Sequence, residues 1–141
     1  LSFVEHLSPP HPDLKCRLGA GNIYIEVAHA FGTEVDARKI LRHGTKNQPN
    51  KREDQRNVIV KNMENRIIEP LNATIYEHCL KDYLGVPCWL LIRIGNFLYD
   101  LSEYESYKNR IVIPAHNSFQ EIWLLCGPRK ESGAVQLWSS A

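Results

Sequence analysis

The sequence predicts an α/β domain: a mixed β-sheet flanked by helices. Three patterns carry that prediction. From Leu14 to Phe31 the residues alternate with a period of two, as half-buried strands do. Val60, Met63, Ile67, Leu71, Ile75, Cys79 and Tyr83 step by three or four, the stripe of an amphipathic helix. Cys88–Ile94 is an almost unbroken apolar run after Pro87, as expected of a central strand covered on both faces. At 141 residues the chain fits one domain, 1–141, long enough to bury a core without disulfide staples.

Taken in order, Ser2–Leu7 reads as the end of a helix that stops before Pro9 and Pro10, with Glu5 and His6 as its polar residues. Two strands follow. Leu14, Cys16 and Leu18 oppose Asp13, Lys15 and Arg17, and Ile23, Ile25 and Val27 oppose Tyr24, Glu26 and Ala28, so each strand has an apolar and a polar face. Between them Gly19-Ala20-Gly21-Asn22 supplies glycines for a tight hairpin turn. Thr33 is an N-cap with Asp36 three residues on, and Gly44 a C-terminal stop, which predicts a helix of about ten residues. Gly44–Arg52 is a polar loop, and the long helix from Val60 to Tyr83 is expected to bend at Pro70. After the central strand, Tyr99–Arg110 reads as a short helix, and Gln120–Cys126 and Ala134–Ser139 as two strands joined by a Gly127-Pro128 turn. Leu14, Ile25, Val27, Trp89, Leu90, Ile92, Ile122 and Leu124 are the expected sheet interior.

Composition narrows the function classes. With 43% hydrophobic and 23% charged residues, 8 Gly and 8 Pro, collagen-like, low-complexity and disordered chains are excluded. Seventeen Lys and Arg against 16 Asp and Glu leave a net charge of +1, so net charge identifies no partner. Cys16, Cys79, Cys88 and Cys126 form no zinc spacing and read as reduced, buried residues, which predicts a reducing, cytoplasmic setting. No apolar run approaches the roughly 18 residues of a membrane span. The Asn72-Ala73-Thr74 sequon falls on the long helix and is read as chance. The chain opens at Leu1 without Met, and part of the native N-terminus is expected upstream.

The residues expected to carry chemistry are Asp13 and Glu26. A Gly19-Ala20 loop sets them opposite each other and an Ala20-Gly21 loop makes them diagonal neighbours; either way both carboxylates share one side of the hairpin. Two adjacent carboxylates repel unless a divalent cation lies between them, and all-oxygen ligation suits Mg²⁺ or Mn²⁺. The competing reading is structural: an Asp after Pro and before a strand is often a turn cap, and Glu26 can be a solvated surface carboxylate. His11 and His29 are left out of the metal set, His29 because it shares the apolar face with Val27 and reads as a core histidine.

Pro12-Asp13, a short hairpin and the run Ile-Tyr-Ile-Glu26-Val-Ala28 resemble the core of the PD-(D/E)xK nuclease-like superfamily, over about seventeen residues. The resemblance implies a restriction-endonuclease-like sheet, divalent metal held by Asp13 and Glu26, and a third carboxylate from an upstream helix, here Glu5. In that family a lysine two positions after the Glu orients the attacking water. The matching position here is Ala28. Two lysines are candidates to replace it: Lys15, on the same hairpin face as Glu26, and Lys39, on the next helix. Lys39 is favoured, by resemblance to viral cap-snatching endonucleases. The implied function is metal-dependent hydrolysis of phosphodiester bonds in DNA or RNA, with Arg38, Arg42, Lys46, Lys51 and Arg52 contacting backbone phosphates. The alternative is a catalytically silent binding or regulatory domain on the same fold.

Overall fold

Six strands form one mixed sheet in the order β1 to β6: Ser2–His6, Leu14–Leu18, Gly21–Ala30, Cys88–Ile94, Glu121–Cys126 and Gly133–Ser139. The first three make an antiparallel meander, β3, β4 and β5 run parallel, and β6 returns antiparallel. The computed structural model describes residues 1–30, 67–94, 101–126 and 133–140, apart from the side chain of Glu103. The helix expected after Thr33, the Gly44–Arg52 loop, the first turns of the long helix and the Gly127-Pro128 turn lie outside the described residues.

The β2–β3 hairpin has the two-residue Gly19-Ala20 connection, with Leu18 facing Gly21 and Leu14 facing Ile25. Gly19 takes φ +60°, a backbone that costs a side-chain-bearing residue strain and glycine none. Ser2–His6 is a strand, not the end of a helix. A helix of one turn is below the length at which helices sustain themselves, whereas Phe3 and Val4 suit a strand on the free edge of β2.

Along β4 and β5, alternate residues enter the main core: Cys88, Leu90, Ile92 and Ile94, then Ile122, Leu124 and Cys126. Helix α1, described over 67–79, brings Ile67, Leu71, Ile75 and Cys79 to the same cluster, the stripe its sequence spacing predicts. Leu71, Ile75, Leu90, Ile92, Ile122 and Leu124 are wholly buried, each worth about 1.5–3 kcal/mol relative to exposure. Helix α2, Leu101–Tyr107, runs into a 3-10 turn at Lys108–Arg110 and adds Leu101 and Tyr104 to this core. Asn72 ties the two helical regions together: its amide donates to the Arg110 carbonyl at 3.0 Å and accepts from the Val112 N–H at 2.9 Å. That use of both amide ends agrees with reading the sequon as chance.

The opposite face carries a smaller cluster of Cys16, Ile23 and Ile25 with Leu14, Val27, Trp89 and Leu91. The expected interior therefore divides between two faces: Leu90, Ile92, Ile122 and Leu124 belong to one, Leu14, Ile25, Val27 and Trp89 to the other. His29 lies at the exposed end of β3, so the reading of it as a core histidine is corrected. All four cysteines are free and buried, as expected.

Candidate functional site

Strand pairing decides which side chains meet. Lys15 faces Tyr24 and Leu14 faces Ile25, and continuing that register sets Asp13 opposite Glu26. Both carboxylates then lie on the face of Lys15, as the hairpin arithmetic expects. Glu5 faces Lys15 from β1, and it does so because of a bulge. Phe3 pairs with Cys16 and Glu5 with Lys15, so one extra residue, Val4, reverses the alternation and brings Glu5 onto the carboxylate face. Phe3 and His6 stay on the other side, their rings 5.1 Å apart.

This face is not the solvated one that the polar pattern of the hairpin suggests. Ala28 and Ala30, on the same side of β3 as Glu26, are buried in the main core. The Glu26 side chain is only 12% exposed. Its partner comes from the last turn of α1: His78 Nδ1 is 3.5 Å from Glu26 Oε1, and the imidazole is itself 14% exposed. The same Nδ1 is 3.1 Å from the Tyr83 hydroxyl. The Tyr83 phenol is held well above its usual range, first by burial, then by the negative charge of Glu26 and a hydrogen bond to that carboxylate. His78 Nδ1 thus stands between the Tyr83 hydroxyl and the Glu26 carboxylate, and in the Nδ1–H tautomer the imidazole has its donor on that side. The Tyr83 ring is fixed against Phe119, centroids 5.2 Å apart.

Asp13 is held differently. Its Oδ2 accepts the Val27 N–H at 2.8 Å, a backbone group beyond the end of the β2 ladder. This is a structural role, but not the turn cap expected of an Asp after Pro: the side chain reaches across to β3 and takes the place of a strand partner. Among the described residues no second hydrogen bond engages this carboxylate. Lys15 Nζ lies 3.4 Å from Glu5 Oε1, the lysine 28% and the glutamate 52% exposed. Among the described residues no three of His, Cys, Asp and Glu gather as a metal-holding group. Glu5 is engaged with Lys15 between β1 and β2, while Asp13, which is exposed, lies opposite the largely buried Glu26.

Cys88 lies beneath the pair, on the strand beside β3. Burial pushes its thiol up to about 12, and the negative charges of Glu26 and Asp13 push the same way against a backbone contact from Glu26. It is not a nucleophile at neutral pH. Tyr83 also forms one wall of a cleft of about 610 Å³, shared with Gly85, Val86, Pro87, Ser118 and Gln120.

The chain matches no family model, no curated protein and no solved structure. Lys39, Arg38, Arg42, Lys46, Lys51 and Arg52, the favoured replacement lysine and the expected phosphate contacts, lie outside the described residues. His78 and Tyr83 escaped the sequence reading: they are some fifty residues from Glu26 along the chain and reach it only through docking of α1 on the sheet.

Proposed function

We propose that this domain is a metal-dependent phosphodiesterase of the PD-(D/E)xK type acting on nucleic acid, with Asp13 and Glu26 as the metal carboxylates. The observation that supports the reading most is the hairpin register, which aligns the two acids on one face with Lys15 beside them. Two carboxylates are a sufficient protein contribution for Mg²⁺ or Mn²⁺, which keep several water ligands and fill others from substrate phosphate. The hard oxygen donors of Asp13 and Glu26 fit such an ion. When bound, it would polarise a phosphoryl oxygen and lower the pKa of a coordinated water. The chain's own residues do the rest. Val27 N–H fixes one oxygen of Asp13, and the ammonium of Lys15, offset toward Glu5, supplies positive charge on the side from which phosphate would approach.

One observation favours the silent alternative. Ala28, at the position of the family's lysine, is 3% exposed within the main core, so no cation enters from there. A function of this type needs Lys15 or Lys39 to substitute.

Melting the full chain with increasing MnCl₂ or MgCl₂ separates the readings, because an ion that binds only the folded state raises Tm by mass action. The wild type is expected to shift with Mn²⁺ and to cleave single- or double-stranded DNA or RNA. Asp13→Asn keeps an acceptor for Val27 N–H but loses the charge, so it should melt like the wild type without metal and show neither shift nor cleavage. Asp13→Ala also removes the acceptor and should lose about 1 kcal/mol. Absence of both shift and cleavage in the wild type would sink the enzyme reading and leave the binding domain.

A further inference from the structure

Each carboxylate of the pair has a donor behind it. Asp13 has the Val27 N–H at 2.8 Å, and Glu26 has His78 and Tyr83 on its helix side. The three groups of the Glu26 network come from three places: β3, the last turn of α1 and the loop after it. The hydroxyl of Tyr83 is not needed to fill space. The ring, tilted against Phe119 and 5% exposed, would pack equally well as phenylalanine, so what the hydroxyl adds is its 3.1 Å contact with the imidazole that faces Glu26, in a nearly dry setting. A carboxylate on a side chain with three rotatable bonds presents its oxygens in many directions unless something holds it. Here His78 holds it, backed by the Tyr83 hydroxyl, and both are carried by segments that the apolar core has already fixed.

We propose that Tyr83 and His78 are positioning residues that lock the Glu26 carboxylate from the helix side so that it presents an oxygen toward Asp13 for a divalent cation. The proposal rests on the metal reading above and deepens it. The Tyr83 hydroxyl holds the His78 imidazole at 3.1 Å, and the imidazole holds Glu26 at 3.5 Å. Neither residue touches the ion. Loss of the tyrosine hydroxyl frees the His78 imidazole, and with it the side chain of Glu26, to rotate, and an ion that needs both acids in register then binds less well.

The test is a MnCl₂ titration of the full chain, followed by melting temperature and by calorimetry, on wild type, Tyr83→Phe and His78→Gln. Tyr83→Phe retains the ring, so its Tm in EDTA should lie close to that of the wild type. Its Mn²⁺ affinity should fall by about 10- to 100-fold, the range usual for partners that orient metal ligands. In cleavage assays at fixed Mn²⁺ below saturation, kcat should drop while KM for the oligonucleotide is held. A purely structural role would lower Tm in EDTA and leave the affinity of the surviving folded protein alone. His78→Gln gives a second reading of the same affinity should Tyr83→Phe fold poorly. Wild-type Mn²⁺ affinity in both variants would overturn the positioning role while leaving the metal reading intact; a wild type that binds no Mn²⁺ would overturn both.

Discussion

Asp13 and Glu26 could be placed on one side of the hairpin from the chain alone, opposite or diagonal according to which two-residue loop forms, and the Gly19-Ala20 loop of the structure makes them opposite. The surroundings of Glu26 could not. Local alternation labels the even-numbered side of β3 as polar, yet Ala28 and Ala30 on that side lie in the main core. Their small size was the available signal: two alanines on a nominally polar face leave room for a helix. This makes a prediction at a single residue. Restoring the family's lysine by Ala28→Lys would drive a long cationic side chain into a site 3% exposed beneath α1. Overpacking and charge burial act together, so the variant should lose about 3 kcal/mol or more and gain no activity. Urea unfolding measures this; a stable variant with raised cleavage would mean that the core opens at this position and that the lysine serves there.

Among the elements, α1 and the central strands were legible because their patterns run long, although α1 ends at residue 79 and not at Tyr83. The stripe of α1 and the apolar run of β4 leave little choice of structure. β1 was not legible. Five residues before a pair of prolines fit either state, and only the free edge of β2 decides between them, a contact that sequence patterning does not contain. The turn after α1 carries a different conflict between local preference and structure. Val86 N–H bonds the Tyr83 carbonyl at 3.3 Å across Leu84 and Gly85, and both central residues have positive φ, 61° and 67°. Such turns favour Asn-Gly; a leucine in the left-handed region pays a steric cost of about 1–2 kcal/mol. Leu84 is 52% exposed, so little burial offsets that cost. Leu84→Asn should therefore stabilise the protein by about 1 kcal/mol, read as a raised urea midpoint at unchanged m-value. A lowered midpoint would show that the leucine makes a stabilising contact worth more than the strain.

At the scale of the whole molecule, a six-stranded sheet with three parallel strands encloses a core that holds titratable groups in their neutral forms. This makes stability depend on pH at the alkaline end. Cys79 and Cys88 are free; burial pushes their thiols from the usual 9.0 up to about 11 and about 12, with the charges of Glu26 and Asp13 adding at Cys88. Burial, Glu26 and Asp13 raise the Tyr83 phenol in the same direction. For an acid whose pKa is higher in the folded state, the folded protein keeps a proton that the unfolded chain gives up. The contribution is complete below the unfolded value and is lost as pH rises toward the folded one. Folding free energy should thus be unaffected by these thiols from pH 7 to about 9. Above that, each thiol should remove up to about 1.4 kcal/mol per pH unit until its own folded pKa is reached. Urea unfolding at intervals between pH 7 and 11, in reductant, gives the curve. Cys79→Ala should make the decline between pH 9 and 11 shallower, since one of the two thiols no longer contributes. A folding free energy that stays level to pH 11 would mean that solvent reaches these thiols and that the core between α1 and β4 is looser than its packing indicates.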